Sequence, residues 1–376
     1  MLKQKIKLVH LLPSLAVGGA ENGVVNLMNN INTDIFDPFI VTFSSDGPLT
    51  ARVNRNRVKL IDVAKRKGND PLLPFRLWRL FNKIRPAIVH THFWGTLVEG
   101  VTSAKMAGVP VIIHGEHGTI EQRKRNILVQ RLFWHFCDSV VSISNALKYR
   151  LSETIGFDSY RITPIINGVD TDKFYPVSDR NRCRKNFNIP SDAFVVGTVG
   201  RLLPVKDQQT IIKALSIIKK KTGNKVLGVI AGNGPLLENL SDLSRSLGIE
   251  NEWIMLGEQD NIPAVMNTFD VFALPSLSEG ISNTILEAIA CGLPVIATEV
   301  GGTVEIVDSR YGILIPPGDA KAFSSAVSEL MNNNELRKTY AENARAAAEE
   351  KFSLSSMIKT YEKLYLSLLK QKNRIF

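Results

Sequence analysis

The chain has 376 residues, with 46 Lys+Arg against 36 Asp+Glu (formal net charge +10), 44% hydrophobic residues and three cysteines. At roughly 100 to 200 residues per domain, this length predicts two domains or one large one, and the apolar content excludes a disordered chain. Cys137, Cys183 and Cys291 form no CxxC and no even framework, so the sequence reads as a cytoplasmic protein rather than a disulfide-stapled secreted one.

Lys3, Lys5 and Lys7 ahead of an apolar run imitate a secretory leader, but His10 and Pro13 interrupt that run. The same residues make a buried first strand, 6–12. No uncharged apolar run reaches the roughly 20 residues needed to cross a bilayer. Further strands are predicted at 39–43, 58–61, 88–91, 111–114, 140–144 and 162–165, with helices between most of them. The pattern then restarts with strands at 194–199, 226–231, 253–256, 271–274, 295–297 and 312–315. Helices at 208–220, 236–247 and 284–290 alternate with these, and only helix-forming sequence (342–351, 355–370) follows.

This is the pattern of two doubly wound α/β domains, each a parallel sheet covered by helices on both faces. The predicted domains are 1–170, 171–352 and a closing helical segment 353–376, with the first boundary at the turn residues Asn167-Gly168-Val169-Asp170. Ligands of such sheets bind beyond the carboxyl ends of the strands, so a cleft between two facing domains is the expected site. Charge is uneven: residues 1–175 hold 23 Lys+Arg and 14 Asp+Glu, the remainder 23 and 22. All six histidines, His10, His90, His92, His114, His117 and His135, fall in the first half.

Four stretches suit chemistry at strand ends. Gly18-Gly19-Ala20-Glu21 follows the first strand and opens a helix, where small residues let a phosphate or sugar approach backbone amides; the same residues also suit a glycine turn with no ligand. Gly200-Arg201 and Lys206 place two cations in one loop, suited either to a diphosphate or to solvent. Glu279 and Glu287 bracket Gly280-Ile281-Ser282-Asn283, a glycine turn and helix start whose amides would face an anion, with Glu287 placed to accept from ribose hydroxyls. As isolated residues these glutamates would serve as a cap and a surface charge. His90-Thr91-His92 with His114 and His117 offers metal-ligand atoms, but no cysteine or carboxylate recurs at ligand spacing, and one of two alternating strand-end histidines commonly faces the core. No metal site is expected there, and Asp170-Thr171-Asp172 is read as a turn.

Together these stretches resemble the retaining glycosyltransferases of the GT-B fold, family 4. The matching features run in order through Gly18-Gly19-Ala20-Glu21, His117, Asn167-Gly168-Val169-Asp170, Gly200-Arg201 with Lys206, Gly232-Asn233-Gly234-Pro235, the E-x7-E of Glu279 and Glu287, and Gly301-Gly302. The resemblance implies two Rossmann-like domains facing a cleft, with a final helix crossing back to the first. It implies a metal-independent hexosyltransferase that needs no cofactor beyond a nucleotide diphosphate sugar, with UDP as the carrier. Arg201 and Lys206 would hold the diphosphate, Glu287 the ribose, Glu279 with the amides of Ile281 to Asn283 the transferring sugar, and His117 that sugar from the acceptor domain. Gly18 and Gly19 would line the donor site. Glu279-Gly280 continues as Ile-Ser-Asn-Thr rather than the Phe-Gly-rich version of starch and sucrose enzymes, a variant found among bacterial surface-polysaccharide transferases, which points to a saccharide or lipid-linked saccharide acceptor.

Two basic segments, Pro74–Arg85 and the stretch from Arg123 to Phe136, interleave cations with apolar residues. Each suits either docking on anionic lipid or ordinary packing on the sheet, so the expected location is cytoplasmic with peripheral contact at the inner face of the membrane. An epimerase of the same fold and a catalytically silent scaffold are the alternatives, and no nucleic-acid-binding module is visible.

Overall fold

β-branched runs that alternate with amphipathic helices fold here into two separate parallel sheets. The computed structural model describes residues 5–16, 18–68, 70–118, 123–222 and 226–373. Lys3 of the amino-terminal basic run lies outside them. Two compact units result, one from the described residues up to Asn167 together with those from Leu354 onward, the other spanning Gly168–Ser353.

The first unit is built on β1 (Ile6–Leu12), β2 (Phe36–Thr42), β3 (Lys59–Asp62), β4 (Ile88–His92), β5 (Val111–Glu116), β6 (Ser139–Ser142) and β7 (Ile162–Pro164). Their order is β3-β2-β1-β4-β5-β6-β7, with every pair parallel. The direction of winding reverses between β1 and β4, which opens a crevice beyond the carboxyl ends of those strands. β2 starts earlier than its sequence suggests because Asp37-Pro38 breaks the apolar pattern; Pro38 is tolerated there because β3 begins only opposite Phe39.

Leu8, Leu12, Ile40, Ile88 and Ile113 form the core of this unit with Met357, Ile358, Tyr361 and Tyr365 of the final helix, Leu354–Asn373. Burial of four large side chains, at roughly 1.5 to 3 kcal/mol each, fixes that helix to the first sheet. Two polar ties add to it: Glu362 accepts from the Asn32 amide at 2.8 Å, and Lys372 reaches Asp138 at 2.6 Å.

The second unit repeats the plan with β8 (Phe194–Val199), β9 (Val226–Ala231), β10 (Trp253–Met255), β11 (Val271–Leu274), β12 (Val295–Thr298) and β13 (Gly312–Ile315), in the order β10-β9-β8-β11-β12-β13. Its switch point lies between β8 and β11. The chain enters and leaves this unit side by side: Val169 bridges Ser353, and its amide donates to the Phe352 carbonyl at 2.8 Å. Asp170 folds back to accept from the amides of Asp172 and Lys173 at 3.1 and 3.0 Å, a turn. The helix expected at 342–351 starts earlier, as Asn334–Glu350, because Asn333 caps it by accepting from the Leu336 amide at 3.0 Å.

Candidate active site

In the second unit, two loops meet beyond the switch point. After β8 the chain runs through Gly200-Arg201 into a short 3-10 turn, Pro204–Lys206; after β11 it runs through Ser276 to Glu279 and into the helix Asn283–Ala290. The Leu277 amide donates to the Val205 carbonyl at 2.8 Å and holds the loops together. Lys206 Nζ then lies 2.5 Å from Glu279 Oε1, which also accepts from Ser276 Oγ at 2.6 Å. The Glu279 side chain is only 9% exposed and its lysine 24%, so the pair sits in a partly desolvated recess where charge attraction exceeds that of a surface pair. Arg201, on the same loop, is exposed.

Ile281 and Ser282 are buried, and Ser282 caps the helix by accepting from the Ile285 amide. The positive end of this helix therefore sits directly after Gly280, and Glu287, half-buried, lies one turn further in. Glycines hold both loops from behind. A Cβ on Gly232 (φ +146) would stand 1.9 Å from the Gly200 carbonyl oxygen, and one on Gly302 would stand 1.9 Å from that of Gly280. Backbone packed against backbone at this range leaves no room for any side chain. A neighbouring cavity of about 470 Å³, lined by residues such as Pro204, Leu236, Leu240 and Leu277, lacks Arg201, Lys206, Glu279 and Glu287. Lys206 and Glu279 meet outside it.

In the first unit, Gly18 precedes the helix Gly19–Asn30 beyond β1, and His117 follows β5, both at the carboxyl edge of the sheet. A Cβ on Gly18 would meet the Glu21 carboxylate at 2.2 Å, so glycine lets that side chain fold back over the helix start, where burial raises its pKa. His117 is not isolated. Its Nε2 lies 2.9 Å from His92 Nδ1, His92 Nε2 lies 2.9 Å from His10 Nδ1, and His10 Nε2 lies 3.0 Å from the Tyr365 hydroxyl, which is also 3.0 Å from His90 Nδ1.

His90 and His92 are two residues apart on one strand, so they share a face, and His10 stands opposite His90 in register. Both strand-end histidines are therefore buried, where one facing the core was expected. His10, His90 and His92 bring ligand-type atoms within 4.8 Å of one another, and all of their ring nitrogens except His90 Nε2 are engaged with each other, with Tyr365 or with His117. Thr91 and His114 pair in register on the opposite face, where His114 bonds Thr91 Oγ1 at 2.8 Å and Glu116 at 3.0 Å.

Comparison with known proteins shows the family and the fold. The family model for group 1 glycosyl transferases matches residues 179–347, and that for glycosyltransferase family 4 matches residues 17–173. The UDP-Gal:alpha-D-GlcNAc-diphosphoundecaprenol alpha-1,3-galactosyltransferase of Escherichia coli is 28% identical, with 98% of each chain covered. The chain belongs to the group 1, family 4 glycosyltransferases. Solved structures agree on the fold: a glycosyltransferase of Rickettsia africae superposes with a TM-score of 0.87 at 22% identity over 98% of this chain and 99% of that one. Anabaena Alr3699/HepE, solved in complex with UDP, gives 0.84 at 22% identity over 97% and 100%. The fold is GT-B.

Within this glycosyltransferase, burial is the dominant electrostatic influence on the histidine chain. It lowers His10 and His117 to about 3 and holds His90 and His92 well below the ordinary imidazole range, with the neighbouring rings adding to the effect. These rings are neutral at physiological pH. The partnership of His117 with His92, His10 and Tyr365 was not foreseen from sequence, because it depends on strand register and on a tyrosine some 250 residues further along the chain. The signal that was present is the matching parity of His90 and His92. The glycosyltransferase's buried thiols Cys137 and Cys291 are pushed up to about 12 by burial, so neither is a nucleophile.

Proposed function

We propose that the enzyme is a retaining, metal-independent hexosyltransferase that moves a sugar from a UDP-linked donor to a saccharide or lipid-linked saccharide. The observation that carries this reading is the junction of Lys206, Glu279 and a helix start in one recess of the second unit, with Arg201 on the same loop. Two cations and a helix dipole suit a diphosphate, whose charge grows as the bond to the sugar breaks. Glu279, held by Lys206 and Ser276, faces the sugar, and Glu287 accepts from the ribose. The activity of the E. coli relative, a UDP-Gal-dependent galactosyltransferase acting on a diphosphoundecaprenol-linked sugar, supports these donor and acceptor classes, and the UDP complex of the Anabaena protein supports the carrier.

In the retaining reaction, the bond from anomeric carbon to diphosphate breaks, the acceptor oxygen bonds to the same face, and the departing phosphate oxygen takes the acceptor's proton. Arg201 and Lys206 supply the positive charge that a metal supplies in other transferases. Glu279→Ala is expected to lower kcat by tenfold or more while UDP binding changes little, measured by steady-state kinetics and calorimetry; equal loss of both would make Glu279 a structural residue. Consumption of the UDP-sugar without an acceptor would favour an epimerase of the same fold.

The structure separates the two basic segments. In the helix Leu73–Ile84, Leu73, Leu77, Phe81 and Ile84 are buried and Arg76 pairs with Asp70, so its apolar face packs internally. In the helix Lys124–His135 and the residue after it, Leu128, Leu132 and Phe136 are 66, 56 and 45% exposed, beside exposed Lys124, Arg125 and Arg131. An apolar ridge rimmed by cations fits a bilayer of anionic lipid. No helix among the described residues is long and apolar enough to cross a membrane. Flotation with phosphatidylglycerol vesicles is expected to retain the protein and to lose it when Leu128 and Leu132 become Ser; binding unaffected by anionic lipid would remove the peripheral assignment.

A further inference from the structure

The positive charge of the first half is concentrated in one short stretch. Residues 52–67 hold seven Lys+Arg against one carboxylate, Asp62, which is six of the excess of nine carried by residues 1–175. Strand β3 divides these cations between the two edges of the sheet. At its amino end they serve the fold: Arg57 Nη2 donates to the Ile31 carbonyl at 3.1 Å, and Lys59 pairs with Asp37 at 2.8 Å. At its carboxyl end stands the run Lys65-Arg66-Lys67. Lys65 Nζ donates to the Gly68 carbonyl at 3.0 Å, an uncharged partner. Arg66 and Lys67 are exposed, and their side chains have no ionic or hydrogen-bonding partner among the described residues.

The backbone that carries this run is held in place. Asp62 accepts from the Ala64 amide at 2.7 Å and from the Ser45 amide at 2.8 Å, and the Lys65 amide donates to the Phe43 carbonyl at 2.8 Å. Asp70, 4% exposed, accepts from the Arg66 amide at 2.9 Å and pairs with Arg76. Ala64 (φ +48) and Gly68 (φ +77) turn the chain through left-handed conformations on either side of the run. That conformation is unfavourable for alanine and persists here because Asp62 holds its amide. On the neighbouring loop after β2, Arg52 donates to Asn22 Oδ1 in the first turn of the helix Gly19–Asn30, which adds a fourth cation to this edge.

Holding three like charges on one fixed loop costs repulsion, and no carboxylate among the described residues pairs with them. The arrangement suits a partner whose negative charge is equally dense, and adjoining phosphate groups carry such charge on oxygens that accept from arginine and lysine. In the transferase reading the donor's diphosphate is met by Arg201 and Lys206 of the second unit. The other substrate is the acceptor.

We propose that Lys65, Arg66 and Lys67 bind a diphosphate through which the acceptor saccharide is joined to its lipid. The acceptor is then a diphosphate-linked lipid saccharide rather than a soluble glycoside. The proposal rests on the transferase reading and goes beyond it by giving the acceptor's charged group a site of its own.

Calorimetric titration of the full-length protein with farnesyl diphosphate, a short prenyl diphosphate, in saturating UDP tests this, because UDP keeps the probe out of the donor recess. Saturable binding is expected in the wild type, weaker by about tenfold or more in K65Q/R66Q/K67Q, with the same UDP affinity in both. The charge-matched variant R55Q/K59Q/K83Q, altered at the opposite edge of the sheet, is expected to bind the probe as the wild type does. No binding by the wild type, an equal affinity in K65Q/R66Q/K67Q, or an equal loss in the charge-matched variant would overturn the proposal. Flotation with phosphatidylglycerol vesicles separates the other source of phosphate. If K65Q/R66Q/K67Q no longer floats yet still binds farnesyl diphosphate as the wild type does, the loop serves lipid headgroups and the proposal fails. Failure of the transferase reading would show instead as absent UDP binding in the same titrations.

Discussion

Lowering the pH from 7 to 5.5 is expected to destabilise the first unit by about 2.5 kcal/mol through His10 and His117, with His90 and His92 adding to the loss. His10 and His117 titrate at about 3 in the folded chain, and His90 and His92 are held well below 6.5, whereas the unfolded chain takes up these protons as the pH falls through 6.5. The unfolded state then binds more protons than the folded one. The stability these residues confer is therefore complete above 6.5 and is lost as the pH falls towards 3, by up to about 1.4 kcal/mol per pH unit for each ring. Asp62 and Asp70 are lowered and act in the same sense at more acid pH; Glu21 is raised and acts in the opposite sense. Urea unfolding at the two pH values measures the loss, and an unchanged midpoint would mean that the folded imidazoles accept protons freely.

Gly302→Ala is expected to cost about 3 kcal/mol and to lower the melting temperature of the second unit by roughly 6 to 12 °C. The new Cβ would stand 1.9 Å from the Gly280 carbonyl oxygen. That neighbour is backbone, so relief requires moving the Gly280–Ile281 peptide, next in the chain to Glu279 and its contact with Lys206. Gly318→Ala is the control: its φ of +75 strains the backbone, but its Cβ would meet nothing within 4 Å. It should cost about 1 kcal/mol. Thermal melts of both variants decide the matter, and a Gly302→Ala protein melting with the wild type would show that the loop is not held from behind.

The architecture was legible because parallel sheets buried on both faces write nearly continuous apolar runs. β1, β8, β9, β11 and β13 occupy the residues expected of them. Edges were less legible where local chemistry competes with the pattern, as at Pro38 and in the asparagine run before the helix Asn334–Glu350. In the site, the juxtaposition of Lys206 with Glu279 could not be read from residues 73 positions apart; it depends on β8 and β11 being neighbours. The roles of Gly232 and Gly302 were hidden for the same reason, since a glycine in sequence does not name the carbonyl it packs against. The histidine chain was the least legible feature. Parity aligns His90 with His92, but only the fold brings His10 and the final helix to them.

The most direct test of the donor assignment is a calorimetric titration of the purified protein with UDP, UDP-galactose and UDP-glucose, with and without EDTA, repeated on Lys206→Ala. Saturable binding of a UDP ligand that is insensitive to EDTA, and weaker by roughly 1.5 to 3 kcal/mol in the variant, is the predicted result. Binding that vanishes with EDTA, or an affinity the same in Lys206→Ala as in the wild type, would contradict it.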